Sequence, residues 1–382
     1  MTKKILYISG TRADYGLMRS VLSRIHEAPD LELEIIATGM HLMPDFGNSV
    51  DEIVADGFTL HRIPVLHEED TRESMATFIG NLIVALTKKV QKIRPDLILL
   101  LGDRGEMLAG AIVGTYAGIP VAHLHGGEVT STVDEPVRHA ITKLAHLHLP
   151  ATRKSARRII RMGEDPSWVH VVGAPGLEPI LSGTFTPREE LVRKYRITPD
   201  KPLVLVVQHP VSAEVANAAG QMRATLEAVS DLPVQVLVVY PNADAGGRKM
   251  IVVIEEFSRK QGLVQAYKNL PHDDYLGLLK IASVLVGNSS SGVIEAPSFH
   301  LPVVNIGTRQ EGRERAGNVI NTGYTRHEIA ASIEKALSDT DFLDKVRRCK
   351  NPYGKGDSSK RIVEVLRQVD FTKTSIQKKN FY

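Results

Sequence analysis

The chain is predicted to fold as an α/β protein of two doubly wound, Rossmann-like domains facing a central cleft, and three observations predict it. Short continuous apolar runs alternate with amphipathic segments of helical period, the pattern of parallel strands buried on both faces and their crossover helices. The pattern restarts after about Pro187. The runs end in polar or glycine-bearing turns, and in open α/β sheets that edge is where ligands bind.

The first run is Ile5 to Ile8. Leu17, Val21, Leu22 and Ile25 then fall on one face of a helix, with Pro29 beyond its end. Strands follow at Leu33 to Ala37, Leu97 to Leu101 and Val121 to Leu124. Leu147 to Leu149 and Val169 to Val172 complete a first domain of about six or seven strands. In the second domain the runs are Leu203 to Val207, Val234 to Val239, Leu263 to Ala266, Val284 to Val286 and Val303 to Ile306. Thr184 to Pro202 carries three prolines around a helical stretch, Glu189 to Tyr195, and reads as the linker on which the domains hinge. The division expected is 1–186 and 187–382, with the C-terminal helix packing back on the first domain.

At 382 residues, two domains can each bury a core without disulfide or metal staples. The 47 Lys+Arg against 44 Asp+Glu leave +3, too mild and too mixed for a nucleic-acid-binding stripe. A pI near 8.8 suits a small anionic ligand. The single cysteine, Cys349, sits in a charged run without a nearby His, which argues for a reducing compartment and against a catalytic thiol. The start Met1-Thr2-Lys3-Lys4 and the brief apolar run after it do not make a signal peptide, and no stretch approaches a membrane span. A cytoplasmic protein is expected, without nucleic-acid or membrane partners.

Two turns suit phosphate. Gly10-Thr11-Arg12-Ala13-Asp14-Tyr15-Gly16 is neither a Walker loop nor a dinucleotide fingerprint, yet a helix N-terminus with an Arg can hold a diphosphate without metal. Gly287-Asn288-Ser289-Ser290-Ser291-Gly292 precedes a short helix read at Val293 to Ser298, and three hydroxyls, free amides and a helix dipole converge there. Glu295 either accepts hydrogen bonds from a ribose diol or complements the dipole. Gly307-Thr308-Arg309 echoes Gly10-Thr11-Arg12 at an equivalent strand end, which would send both arginines into one cleft.

The densest polar cluster is Asp103-Arg104 at one strand end and His123-Leu124-His125-Gly126-Gly127-Glu128 at the next, followed by Asp134, Glu135, Arg138 and His139 on a helix. Asp103 ends a fully apolar run and reads as a cleft residue. His123 and His125 alternate with Leu124, so both imidazoles should share one side of the sheet. Asp134 could instead be the helix N-cap, with Arg138 its surface ion-pair partner. His-x-His with Asp and Glu is a credible metal set, but zinc-protease spacings are missing and Arg104 and Arg138 would repel a divalent ion. His146 and His148 read as structural. In the second domain His209, held extended by Pro210, is a phosphate donor candidate. Asn242 either caps a helix or binds ligand, and His272 stands at a helix start without a capping reason.

Taken in order, these motifs resemble the hydrolysing UDP-N-acetylglucosamine 2-epimerases that open sialic-acid-type sugar biosynthesis. The matching segments are Gly10 to Tyr15, Thr38-Gly39-Met40-His41, Gly102-Asp103-Arg104, Gly126-Gly127-Glu128, Arg138 to Lys143, His209-Pro210, Gly287 to Ser290 and Gly307 to Gln310. The resemblance implies a GT-B arrangement, with UDP mainly on the second domain and the sugar and acid/base groups on the first. It implies anti elimination of UDP to a 2-acetamidoglucal, then hydration to free N-acetylmannosamine, with no cofactor. The acid/base set it points to is Asp103, Glu128 and Asp134, with His125 and His209 beside them. The UDP-sugar contacts it points to are Arg12, His41, Arg104, Asn242 and His272, then Ser289, Ser290, Ser291, Gly292, Glu295 and Arg309.

Two departures bear on the substrate. Leu17 stands where non-hydrolysing relatives and some hydrolysing ones carry a lysine, and His125 stands where many relatives carry Glu, so it either replaces that Glu or leaves the work to Asp103 and Asp134. Both point to the sialic or legionaminic branch, with UDP-N,N'-diacetylbacillosamine the rival substrate. A GT-B glycosyltransferase would need an acceptor but no acid/base cluster, a UDP-sugar sensor would need no Asp103, and a metal hydrolase would lose activity in chelator. A homodimer is expected.

Overall fold

The computed structural model describes residues 2–47, 49–66, 68–260, 264–370 and 378–381. The first half carries strands β1 (Lys3–Ser9), β2 (Leu31–Ala37), β3 (Thr59–Arg62), β4 (Leu97–Leu101), β5 (Val121–Leu124) and β6 (Leu147–Leu149). The second carries β7 (Leu203–Val207), β8 (Gln235–Val239), β9 (Val264–Tyr267), β10 (Val284–Gly287), β11 (Val303–Ile306) and β12 (Val319–Thr322). Both sheets are parallel, ordered β3-β2-β1-β4-β5-β6 and β12-β11-β10-β7-β8-β9. Counted within each half this is one doubly wound order, and each sheet reverses direction beside its first strand, β1 against β4 and β7 against β10.

Fifteen helices complete the described chain. In the first half they are α1 (Arg12–Glu27), α2 (Val50–Ala55), α3 (Arg72–Ile93), α4 (Gly105–Ala117), α5 (Asp134–Leu144), α6 (Arg153–Arg161) and α7 (Glu178–Ser182), and α8 (Arg188–Lys194) leads into the second half. The rest are α9 (Ala218–Ser230), α10 (Gly247–Lys260), α11 (His272–Ile281), α12 (Ser291–Ile294), α13 (Arg326–Ser338), α14 (Thr340–Arg347) and α15 (Ser358–Gln368).

The central strands form where the sequence is apolar on both faces: Ile5, Leu6, Tyr7 and Ile8 are all fully buried. Helix α1 starts because Thr11 and Asp14 make a reciprocal capping box, and it buries Met18, Val21, Leu22 and Ile25. Ile362, Val363 and Leu366 of α15 join that same core, and Lys3 Nζ donates to the Leu366, Arg367 and Val369 carbonyls at the end of α15 (2.6–3.1 Å). Leu191, Tyr195 and Ile197, within the proline-bearing stretch 184–202, pack with Leu205 and Leu237 of the second sheet.

Three expectations are corrected, and one falls partly outside the described residues. Val169 to Val172 is not a strand; it makes one bridge, His148 to Val169. Strands β3 and β12 were not expected: both are sheet edges of mixed exposure, so neither reads as an apolar run. The helix read at Val293 to Ser298 is α12 from Ser291 to Ile294, then a 3₁₀ turn from Ala296 to Phe299, because Pro297 has no N–H to continue the ladder. Of the run Leu263 to Ala266, Leu263 lies outside the described residues.

The halves meet along their strand ends. Met43, Phe46 and Ala243 form a small apolar cluster across the junction. Asp70, just before α3, accepts from the Gly246 N–H (2.8 Å) and the Lys249 N–H (3.3 Å), so a first-half carboxylate caps the N-terminus of α10 in the second half.

Candidate active site

A cavity of about 280 Å³ lies between the C-terminal ends of the two sheets. Gly287 ends β10 at φ +132, and a Cβ there would stand 2.1 Å from the Val207 carbonyl, so only glycine lets the serine turn begin this close to β7.

The anion-binding wall comes from helix starts and that turn. Arg12 opens α1, is half-buried, and presents a buried Nη1 with no hydrogen-bond partner; desolvation lowers its pKa. His272 opens α11 with Nε2 likewise unpartnered, and burial with Arg12 and Arg19 holds the ring neutral, its pKa pushed down to about 3. Glu295 Oε2 has no partner either, and burial raises this carboxyl to about 7. Buried polar atoms are normally satisfied, so three orphans lining one cavity mark where a ligand's polar atoms belong. Ser291 Oγ donates to Ser289 Oγ (2.9 Å) and pairs with the Tyr275 hydroxyl (2.5 Å), leaving a row of hydroxyls on the same wall. His209 Nδ1 accepts from the Asn242 N–H (3.1 Å), so its proton sits on Nε2; burial, then Arg309 and Arg104, push its pKa to about 3.

The opposite wall carries carboxylates. Asp103 is grasped by the Arg138 guanidinium, whose Nη1 also donates to the Glu128 carbonyl (3.0 Å). Burial would raise the Asp103 carboxyl, but Arg138 and Arg313 override it and hold the group below its ordinary value. Asp134 opens α5, where burial and the Asp103 charge raise it, opposed by Arg309 at 3.6 Å. Two neighbouring carboxyls are thus shifted in opposite directions, the kind of asymmetry an acid/base pair uses. Arg104 bridges Glu106 (3.2 Å) and, across the halves, Asp244 (3.4 Å).

Of the residues expected from the sequence, Arg12, Asp103, Arg104, His125, Asp134, His209, Asn242, His272, Ser289, Ser290, Ser291, Glu295 and Arg309 line this cavity. Three do not. Glu128 is buried behind the wall, with His125 Nδ1 2.6 Å from Oε1 and Arg313 on Oε2. His41 is held in the core between Ser9 (2.8 Å) and Ser49 (2.9 Å). Gly292 packs toward Val303 of β11.

The paired-imidazole reading also fails. Strand β5 ends at Leu124, so His125, at φ +58, is aimed by a left-handed turn, while His123 is buried against the Gly102 carbonyl (2.7 Å) and Thr142. Asp134 is the first helical residue and Val133 precedes it, so Asp134 is not the N-cap; Arg138 is buried, not a surface partner. Asn242 caps no helix, since α10 starts at Gly247, and its amide donates to Asp244 (2.6 Å). Among the described residues no group of three or more His, Cys, Asp and Glu is placed to hold a metal ion.

Arg313, Tyr275, Asp244 and Lys268 also line the cavity and were not singled out. Arg313 lies in Gly312-Arg313-Glu314-Arg315, which reads as a solvated charge run; its one signal is that it follows the same strand end as Arg309.

Comparison with known proteins finds relatives along the whole chain. The UDP-N-acetylglucosamine 2-epimerase family model matches residues 23–367. A hydrolysing UDP-N,N'-diacetylbacillosamine 2-epimerase of Legionella pneumophila is 42% identical over 383 residues, covering all of both chains. A UDP-N-acetylglucosamine 2-epimerase of Neisseria meningitidis is 33% identical, covering 99% of this chain and 98% of that one. Among solved structures, UDP-GlcNAc 2-epimerase from Neisseria meningitidis bound to UDP-GlcNAc shares the fold with a TM-score of 0.81 at 19% identity, over 96% of this chain and 100% of that one.

Proposed function

The chain belongs to the UDP-N-acetylglucosamine 2-epimerase family, and we propose that it is a hydrolysing member. Its substrate is a UDP-linked 2-acetamido sugar, released as the free 2-epimer with UDP. The observation that carries this is one cavity lined both by the unpartnered Arg12 Nη1, His272 Nε2 and Glu295 Oε2 and by two carboxyls shifted in opposite directions, Asp103 and Asp134.

The C2 proton is weakly acidic, so departure of the diphosphate must lead, with its growing charge met by Arg12, the His209 and His272 imidazoles and the serine row. Asp103, held ionised, takes the C2 proton; the C–H pair becomes the C1–C2 double bond and the C1–O bond breaks to release UDP. Asp134, whose carboxyl burial and the Asp103 charge raise, returns a proton to C2 as water adds to C1. Glu295 takes the ribose diol.

Between the two candidate sugars, UDP-N,N'-diacetylbacillosamine is favoured over the UDP-N-acetylglucosamine first expected. Its support is the Legionella relative, together with apolar walls at Leu17, Met40 and Phe46 that suit a 6-methyl group better than a 6-hydroxyl. The product would feed legionaminic- or sialic-type sugar synthesis. UDP-N-acetylglucosamine is the second reading, on the Neisseria relative. Each sugar nucleotide should be followed by proton NMR in deuterated buffer with chelator present. UDP release with deuterium at C2 of the freed 2-epimer is the expected result; UDP with unepimerised sugar overturns the mechanism.

Three finer readings go with it. The halves, meeting at a boundary near Pro187, close over substrate; scattering unchanged by UDP counts against this. The protein is a homodimer, checked by light scattering after gel filtration. It works in the cytoplasm, on the single Cys349; no described helix is long and apolar enough to cross a membrane.

A further inference from the structure

His125 carries the one left-handed non-glycine backbone in the cavity wall among the described residues, a conformation that is retained against its cost only where the surroundings enforce it. The enforcement is traceable. Glu128 Oε1 holds Nδ1 at 2.6 Å, so the ring nitrogen left to the cavity is Nε2. Glu128 Oε2 accepts from Arg313 Nε (2.9 Å) and also from Nη2. Arg313 Nη1 donates to Gln310 Oε1 (3.0 Å), and Gln310 Nε2 donates to the Asn288 carbonyl (2.8 Å) at the end of β10. A buried chain of hydrogen bonds thus runs from the second sheet to an imidazole of the first, crossing 185 residues of sequence at one ion pair.

Proton counting gives this imidazole a task. The hydrolysing reaction, on whose reading this inference rests, needs two bases, one for C2–H and one for the water adding at C1, and one acid for C2. Asp103 and Asp134 supply one of each. The remaining base acts at C1, and His125 lines the same cavity as Glu295 of the second half, whose charge it influences. Around the ring stand Glu128 on its own loop, Arg138 behind Glu128, Arg313 and Glu295 from the second half, and Asp103 and Asp134 on the same cavity wall.

We propose that Arg313 is a positioning residue for this reaction: through Glu128 it fixes the tautomer and direction of His125, which accepts a proton from the water that adds to C1. In that step the water oxygen bonds to C1, its proton passes to Nε2, and the double-bond pair takes the Asp134 proton at C2. Glu128 stabilises the imidazolium, and His125 then returns its proton to solvent. Since Arg313 comes from the second half, the base is competent only when the halves are together.

The test is proton NMR with both sugar nucleotides on wild type, Arg313→Gln, Arg313→Lys, Glu128→Gln and His125→Gln, each with a calorimetric UDP titration. Arg313→Gln and His125→Gln should both lower free-sugar formation about 100-fold. Both should still release UDP, accumulate the unsaturated 2-acetamidoglycal and keep UDP affinity within about threefold of wild type. Arg313→Lys, which keeps the charge but not the fork, should recover about tenfold over Arg313→Gln. Turnover by Arg313→Gln within about threefold of wild type, or joint loss of UDP binding and activity without glycal, overturns the assignment alone. Wild type that binds UDP but releases none from either sugar nucleotide overturns the hydrolase reading and this inference with it.

Discussion

Two copies of Gly-Thr-Arg, at residues 10–12 and 307–309, follow the ends of β1 and β11, strands that are not counterparts in the shared sheet order, and do different work. In the first, Thr11 caps a sixteen-residue helix, and Arg12 enters the cavity with an Nη1 that nothing in the protein satisfies. In the second, no helix follows within ten residues; Arg309 spends Nη1 on the Asn288 carbonyl (3.1 Å) and Nη2 on Asp134. One arginine waits for a ligand's charge while the other tunes a protein carboxyl. The same tripeptide at the same edge therefore specifies a location, and the neighbours decide whether the cation binds or adjusts.

Each arginine has a neutral imidazole beside it, His272 near Arg12 and His209 near Arg309, and acid should expose that shared feature most strongly. Both rings sit at about 3, below the ordinary histidine value near 6.5. The unfolded chain takes up protons that the folded one refuses, so stability is intact above about pH 6.5 and is lost as pH falls toward 3. By pH 4.5 each ring should cost about 2–3 kcal/mol, read from urea midpoints, and His272→Gln should flatten the slope.

Arg12→Met comes next, with UDP affinity falling about 100-fold by calorimetry, as loss of a buried charge-assisted contact demands. Arg309→Met should instead keep UDP affinity within about threefold and lower turnover about tenfold. It removes the cation that opposes burial at Asp134, so that carboxyl rises further and its limb of the pH–rate profile moves to higher pH. Equal affinity losses from the two variants would erase the distinction. The smallest contrast is in the threonines: Thr11→Val should cost about 1 kcal/mol by breaking the capping box, and Thr308→Val less than about 0.5 kcal/mol by urea unfolding.

The strands flanked on both sides were legible because burial on two faces leaves uninterrupted apolar runs, as at Leu97–Leu101 and Leu203–Val207. Two of the four edge strands were not, since Thr59–Arg62 and Val319–Thr322 are of mixed exposure and leave no apolar run. In the site, residues at strand ends announced themselves: Asp103, His209 and Arg309 interrupt a pattern. Arg313 and Arg138 did not, because a buried arginine and a solvated one have the same letter and differ only in the carboxylates that tertiary structure brings to them, Glu128 and Asp103. His125 was visible as a candidate, but its direction was not, since alternation stops applying one residue past Leu124.

Asp70 gives the junction a further property. Helix α10 has borrowed its first-turn acceptor from the other half, so any separation of the halves strips that helix of its cap at the moment the cleft opens. The cost is about 1 kcal/mol, near twice the thermal energy. In the proposed closure a step of that size would act as a detent: it would give the joint a preferred stop and be crossed by ordinary fluctuation, so that shutting on a ligand would not prevent its release.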